Sequence, residues 1–299
     1  MMMRGKGGGT MRDGGSIRRA LFAGSLLGLV AASTSAQTTV TGNVTQNTTW
    51  TVGGSPYIIQ KMIVEVKFGS TLTIDPGVEV RFQAGTSIQA ASGGNSIVAV
   101  GSMGDSVRFT SNAGSPAMGD WYGVALTASP GSEFRRCVIE YAQYGLYLID
   151  SDSPVERCRF LRCGYGVHAA GSECAIERSV FGRCDIGVWA NAASPYVGEC
   201  WITDSGIRGI WSTGNASAPT IYHCNMERNG INLRLDSYTL PRTVVATFNW
   251  WGSSSYDHIH PTIVDSADGH GQGLVTFEPW LNQVPVEASS WGRIKALFR

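Results

Sequence analysis

Residues 134–154 read FRRCVIEYAQYGLYLIDSDSP, 155–175 VERCRFLRCGYGVHAAGSECA, 176–196 IERSVFGRCDIGVWANAASPY and 197–220 VGECWITDSGIRGIWSTGNASAPT. Set beneath one another, these lines keep step. Cys137, Cys158, Ser179, Cys200 and Cys224 fall at intervals of 21, 21, 21 and 24 residues. Three positions before them stand Phe134, Val155, Ile176, Val197 and Ile221; two after stand Ile139, Phe160, Phe181, Ile202 and Met226. A fourth file is Leu146, Val167, Val188, Ile210 and Leu233, with Gly145, Gly166, Gly187 and Gly209 just before it. Each unit alternates apolar and polar residues over short runs, broken by turn residues. No stretch keeps helical spacing long enough for a helical repeat. A helix-free repeat of this length is one coil of a parallel β-helix, whose coils stack about 4.8 Å apart so that like residues form ladders.

The ladder picture extends to the outer surface. Strand side chains alternate, so the residue after each inward Leu, Val or Ile points out. Those residues are Tyr147, His168, Trp189, Trp211 and Arg234. The spacing predicts one exposed file, an unusual place for a row of aromatics. Aromatic rings stack on the apolar faces of sugars, and Arg234 suits an acidic group, so these five residues are the candidate carbohydrate-binding stripe. The same rings could instead stabilise the sheet by cross-strand pairing. Trp201 adds an outward aromatic on another strand.

The 299 residues are 43% hydrophobic and only 15% charged, which allows a large core and excludes a disordered polyelectrolyte. The formal net charge of zero lacks the basic footprint of a nucleic-acid-binding protein. Arg4, Lys6, Arg12, Arg18 and Arg19 precede an apolar run, Ala20 to Ala32, and then Ser33-Thr34-Ser35-Ala36. Positive, apolar, small is the order of a secretory signal peptide, here cut near Ala36. The run is too short to span a bilayer, so no transmembrane segment is expected in the mature chain. The implied location is secreted, periplasmic or cell-surface. Without residues 1–36 the chain keeps 18 basic and 22 acidic residues, net −4. Export would favour disulfides. Of the seven cysteines, Cys137, Cys158, Cys200 and Cys224 nonetheless share one ladder position and Cys163 and Cys184 a second, so stacked, mostly reduced thiols are expected, with a Cys137–Cys158 or Cys163–Cys184 bridge left open.

The domain reading is 1–36 signal peptide, 37–59 N-terminal strand or cap, 60–247 solenoid, 248–282 C-terminal cap and 283–299 tail. In the tail Trp291, Ile294, Leu297 and Phe298 have helical spacing, with Arg293, Lys295 and Arg299 between them. That pattern suits a short amphipathic anchor or a segment packed on the solenoid.

Upstream, Thr71-Leu72-Thr73-Ile74-Asp75-Pro76-Gly77-Val78-Glu79-Val80-Arg81-Phe82 resembles an opening coil of the secreted bacterial right-handed β-helix proteins of the pectin-lyase-like superfamily. Val107-Arg108-Phe109-Thr110-Ser111 and Gly119-Asp120-Trp121-Tyr122-Gly123-Val124 resemble their next coils. Asn249-Trp250-Trp251-Gly252 and Phe277-Glu278-Pro279-Trp280-Leu281 resemble their closing segment. The resemblance spans roughly 60–281 and implies an all-β fold: a right-handed, single-stranded parallel β-helix with terminal caps. It says little of activity, because one fold hosts many functions.

Members that cleave polysaccharides use clustered carboxylates, and no such cluster stands out here. Glu156 and Glu177 share a position that reads as a turn, but Arg157 and Arg178 follow them, so charge neutralisation is the simpler reading. Glu140 and Glu227 share a register four coils apart, too far to cooperate. Asp150 and Asp152 fit turn chemistry. Gly269-His270-Gly271 and Arg293-Ile294-Lys295 match two polygalacturonase motifs, but the accompanying Asn-Thr-Asp and Asp-Asp motifs are missing. His258 and His260 beside Asp257 read as a polar cap loop around a strand-like step. The sequence therefore points to no catalytic residue, no metal and no cofactor. The expected partner is a polysaccharide or another cell-envelope component. Enzymatic cleavage of an acidic polysaccharide and a purely structural adhesin are the alternatives.

Overall fold

The computed structural model describes residues 37–284; the signal-peptide reading and the tail pattern from Pro285 onward lie outside them. Within this span the chain winds as a three-sided solenoid. Three parallel sheets hold nine, nine and ten strands, and each coil gives one short strand to every sheet. One coil runs Val155–Glu156 in sheet C, Arg159–Leu161 in sheet A and Tyr165–Ala170 in sheet B. Thr38–Val40 and Thr48–Trp50 already pair as edge strands of sheets A and C. At the other end Ile263–Val264 and Gly273–Thr276 close sheets B and C.

The rungs read from the repeat are in register. Phe134, Val155, Ile176, Val197 and Ile221 pair in succession in sheet C. Ile139, Phe160, Phe181, Ile202 and Met226 do so in sheet A, and Leu146, Val167, Val188, Ile210 and Leu233 in sheet B. All fifteen side chains are buried and form the axial core. Phe160 and Phe181 lie face to face, ring centroids 4.8 Å apart.

The corners explain two features of composition. Between sheets C and A the chain turns on one left-handed residue per coil: Arg136, Arg157, Arg178, Glu199, His223 and Phe248, with φ from 50° to 56°. Between sheets A and B it turns on Tyr141, Arg162, Arg183, Asp204 and Arg228. A left-handed non-glycine residue is uncommon, and here it recurs coil after coil. Glu156 and Glu177 therefore do not sit at a turn: each ends a strand of sheet C, and the arginine after it makes the corner.

Six of the cysteines directly follow these corner residues, and Cys174 lies just before the sheet C strand Ala175–Glu177. All seven are buried and unbridged. Each corner thiol donates to carbonyls. Cys158 Sγ lies 3.4 Å from Phe134 O, Cys200 Sγ 3.4 Å from Ile176 O, and Cys184 Sγ 3.6 Å from Phe160 O. Small size explains part of their use. The weak S–H donor explains why serine and asparagine share the ladders. Burial pushes the Cys137, Cys163 and Cys200 thiols well up, and Cys174 to about 12, so they stay protonated and inert. Asparagine ends both ladders. Asn249 accepts from the Cys224 amide at 2.7 Å and donates to Ile221 O at 2.9 Å. Asn229 makes the same pair with Ser205 N and Ile202 O. Replacing Asn249 by Ala leaves a buried N–H and a buried carbonyl unpaired, so a loss of about 2–4 kcal/mol is expected in urea unfolding. An unchanged midpoint would show that this cap is dispensable.

Candidate functional site

Sheet B carries the aromatic stripe. Tyr147, His168, Trp189, Trp211 and Arg234 pair rung to rung as the repeat requires. The rings are not laid flat against the sheet. Their planes are nearly parallel to one another, with centroids 4.5 Å apart from Tyr147 to His168, 3.8 Å from His168 to Trp189 and 4.6 Å from Trp189 to Trp211. Faces cover faces, and edges meet solvent. Beside this column stands a second, with Tyr144 and Tyr165 stacked at 4.9 Å and Tyr122 continuing it at 5.3 Å.

This arrangement corrects the expectation of an evenly exposed file. Tyr147, Trp189, Trp211 and Arg234 are half-buried, but His168 is only 4% exposed. It is enclosed by Tyr147 and Trp189 along its own column and by Tyr144 and Tyr165 beside it. Neither ring nitrogen finds a hydrogen-bond partner among the described residues. Burial lowers its pKa to about 4, so the imidazole is neutral at pH 7. The sequence showed that His168 points outward. It did not show that its neighbours are broad enough to close over it.

The polar ends of the column are already engaged. Trp189 Nε1 donates to Thr213 Oγ1 at 3.0 Å, and Trp211 Nε1 to Asp236 Oδ2 at 2.9 Å. Arg234 also donates to Asp236 at 2.7 Å, and the Arg208 guanidinium lies 4.4 Å from the Trp211 ring centroid. Burial pushes the Asp236 carboxyl up, but the hydrogen bonds from Arg234 and Trp211 outweigh it and hold the group below its ordinary value. Asn191, Thr213 and Asp236 form their own in-register row beside the rings. The spacing analysis did not single out this row. Its signal was available, because its members lie two residues beyond Trp189, Trp211 and Arg234.

The carboxylates fall into two settings. Glu156 pairs with Arg157 at 2.6 Å, Arg135 at 3.0 Å and Arg178 at 3.3 Å, and Glu177 lies in register on the next coil. Glu140 is buried on the outer side of sheet A, where it accepts from Arg108 and, at 2.9 Å, from Thr110. It lines a cleft of about 330 Å³ with Glu79, Arg81, Arg108 and Tyr141. The repeat could not reveal this pairing. Arg108 and Glu140 are 32 residues apart, across coils of irregular length. The Asp150–Pro154 segment is a turn, as read: Asp152 Oδ1 accepts from Glu173 N.

His258 lies in a short helix, Tyr256–Ile259, and His260 opens a 3-10 turn, in place of the expected strand-like step. His260 stacks on Tyr256 at 5.2 Å. Among the described residues no three His, Cys, Asp or Glu side chains stand where they could hold a metal ion. Nor is any helix there long and apolar enough to cross a membrane.

The family model of the right handed beta helix region matches residues 122–243. No curated protein and no solved structure matches the chain. The matched segment covers the regular coils and reaches past Arg234, so the stripe lies within it. Three in-register parallel sheets extend that architecture to both ends of the described span, and the chain is a right-handed parallel β-helix repeat protein.

Proposed function

We propose that the chain is an exported, non-catalytic scaffold that binds a polysaccharide lengthwise along sheet B, in the periplasm or at the cell surface. The observation that carries this reading is the unbroken column from Tyr147 to Arg234, with the Asn191, Thr213 and Asp236 row beside it. One coil step of about 4.8 Å is close to the length of a sugar ring, so successive rungs offer successive sugars the same contacts. Because ring faces are taken up by one another, contact is through ring edges and the polar row, with Arg234 and Arg208 at one end. The arginines around Glu156 support binding over cleavage at that carboxylate.

The double variant Trp189→Ala/Trp211→Ala tests the proposal. In affinity electrophoresis against a panel of neutral and acidic polysaccharides, the wild type should be retarded by at least one glycan. The variant should lose that retardation at least tenfold while keeping its far-ultraviolet strand signal. Equal retardation of both proteins, or none of the wild type on any glycan, overturns it.

The Glu140 cleft favours a second reading, cleavage of an acidic polysaccharide. Uronate-containing polymers would then yield unsaturated or reducing ends, and Glu140→Gln would abolish them. Intact polymer after prolonged incubation ends that reading.

A further inference from the structure

The two ring columns of sheet B join into one path. From the arginine end it runs from Trp211 to Trp189, centroids 4.6 Å apart, then to Tyr165 at 5.4 Å, Tyr144 at 4.9 Å and Tyr122 at 5.3 Å. Each of these steps lies within the range of paired aromatic rings. A second branch leads from Trp189 through His168 and Tyr147 to Tyr144, at 3.8, 4.5 and 5.2 Å. The path crosses four coil steps, about 19 Å. Among ring side chains, indole and phenol give up a single electron most readily, and rings in contact pass it on quickly. Packing asks only for flat apolar groups here, whereas an unbroken run of indole and phenol is also a route for electrons.

The two ends of the route differ. At Trp211 the Arg208 guanidinium lies over the ring, Arg234 stands on the next rung, and the Asp236 carboxylate is shared by Trp211 and Arg234. Two cations against one anion disfavour an electron vacancy on Trp211. At the far end Tyr122 is 41% exposed, so its phenol can release its proton to water as the electron leaves. Burial raises the Tyr144 phenol pKa, so a vacancy does not settle there. We propose that the column is a one-electron relay that carries oxidising equivalents from the Trp189–Trp211 pair to the surface at Tyr122. The oxidant is a peroxide-derived radical of the carbonate-radical class. It takes one electron from an indole and leaves as carbonate. An electron from Tyr122 refills the indole along the path, the Tyr122 O–H proton goes to water, and a neutral phenoxyl radical remains. A thiol or ascorbate-type donor then returns one electron and one proton. The relay uses the electrons of the rings and the glycan surface their edges, so failure of either reading leaves the other standing.

The test uses the full chain and carbonate radicals made by pulse radiolysis of bicarbonate. The indolyl absorption should decay as tyrosyl absorption rises, at a rate independent of protein concentration. A nitroso spin trap should mark Tyr122, as read by peptide mass spectrometry. Tyr165→Leu/His168→Leu opens both branches, so conversion and Tyr122 adduct should each fall at least tenfold while the far-ultraviolet strand signal is kept. Trp189→Phe, which leaves a ring in the stack, should show the same loss and guards against misfolding of the double variant. Equal Tyr122 adduct in wild type and both variants would mean direct attack from solvent and would overturn the relay. Adducts confined to the indoles of the wild type, or a conversion rate that scales with protein concentration, would overturn it as well.

Discussion

Acidification from pH 6.5 to 4 is expected to cost the native chain about 2–3 kcal/mol that His168→Phe does not lose. The cause is the enclosed imidazole. Its pKa falls from 6.5 to about 4 on folding, because burial disfavours the charged ring. Above the unfolded value both states are neutral and nothing changes. Between the two values only the unfolded chain takes up the proton, so stability declines as pH falls. Below the folded value the loss is complete. The whole shift corresponds to about 3 kcal/mol. Cation–π attraction from Tyr147 and Trp189 to the protonated ring offsets about 0.5–1 kcal/mol of it. Phenylalanine keeps the stack, removes two unpaired nitrogens and should equal or exceed the wild type in stability at pH 7.5. Urea midpoints for both proteins at pH 7.5, 5.5 and 4 provide the check. Parallel acid dependence would mean that His168 is wetter than its neighbours allow.

Gly166→Ala is expected to cost at least about 3 kcal/mol or to prevent folding. A Cβ at 166 would stand 2.5 Å from Gly187 O and 2.5 Å from Phe181 Cδ1. The first is backbone of the next coil, and the second belongs to a ring fixed by its stack on Phe160. Neither yields without disturbing a rung, so the cost lies at the upper end of overpacking. Gly187 and Gly209 meet the following coil's carbonyl in the same way, at 2.6 and 2.7 Å. Gly104→Ala is the control: nothing lies within 4 Å of its Cβ. Thermal melts of the two variants should differ by at least about 6–12 °C. Coincident melts would show that coils part to accept a methyl group.

Both effects arise where coils touch, and only part of that contact is written in the sequence. The rungs from Phe134 to Ile221 were legible because a solenoid turns long-range contact into nearly fixed spacing: the residue stacked on position i is i + 21 to i + 24. Upstream the rule lapses. Cys137 pairs with Val107, and Phe109 with Val80, across coils lengthened by loops such as 112–120. The Arg108–Glu140–Thr110 cleft falls in that irregular stretch, so spacing alone could not assemble it. The recurring glycines were visible as a pattern, and the carbonyl and phenyl ring that require them were not.

The sequence by itself determined the coil, its inward ladders and the outward direction of Tyr147, His168, Trp189, Trp211 and Arg234, because strand alternation and repeat length depend only on chain geometry. Tertiary structure alone decided how those outward side chains meet one another. Ring orientation, the closure over His168 and the Asp236 and Thr213 partners of the indoles depend on side chains from neighbouring coils packing together. A periodicity specifies which residues are neighbours; shape and hydrogen-bonding capacity then fix which surfaces remain for a ligand.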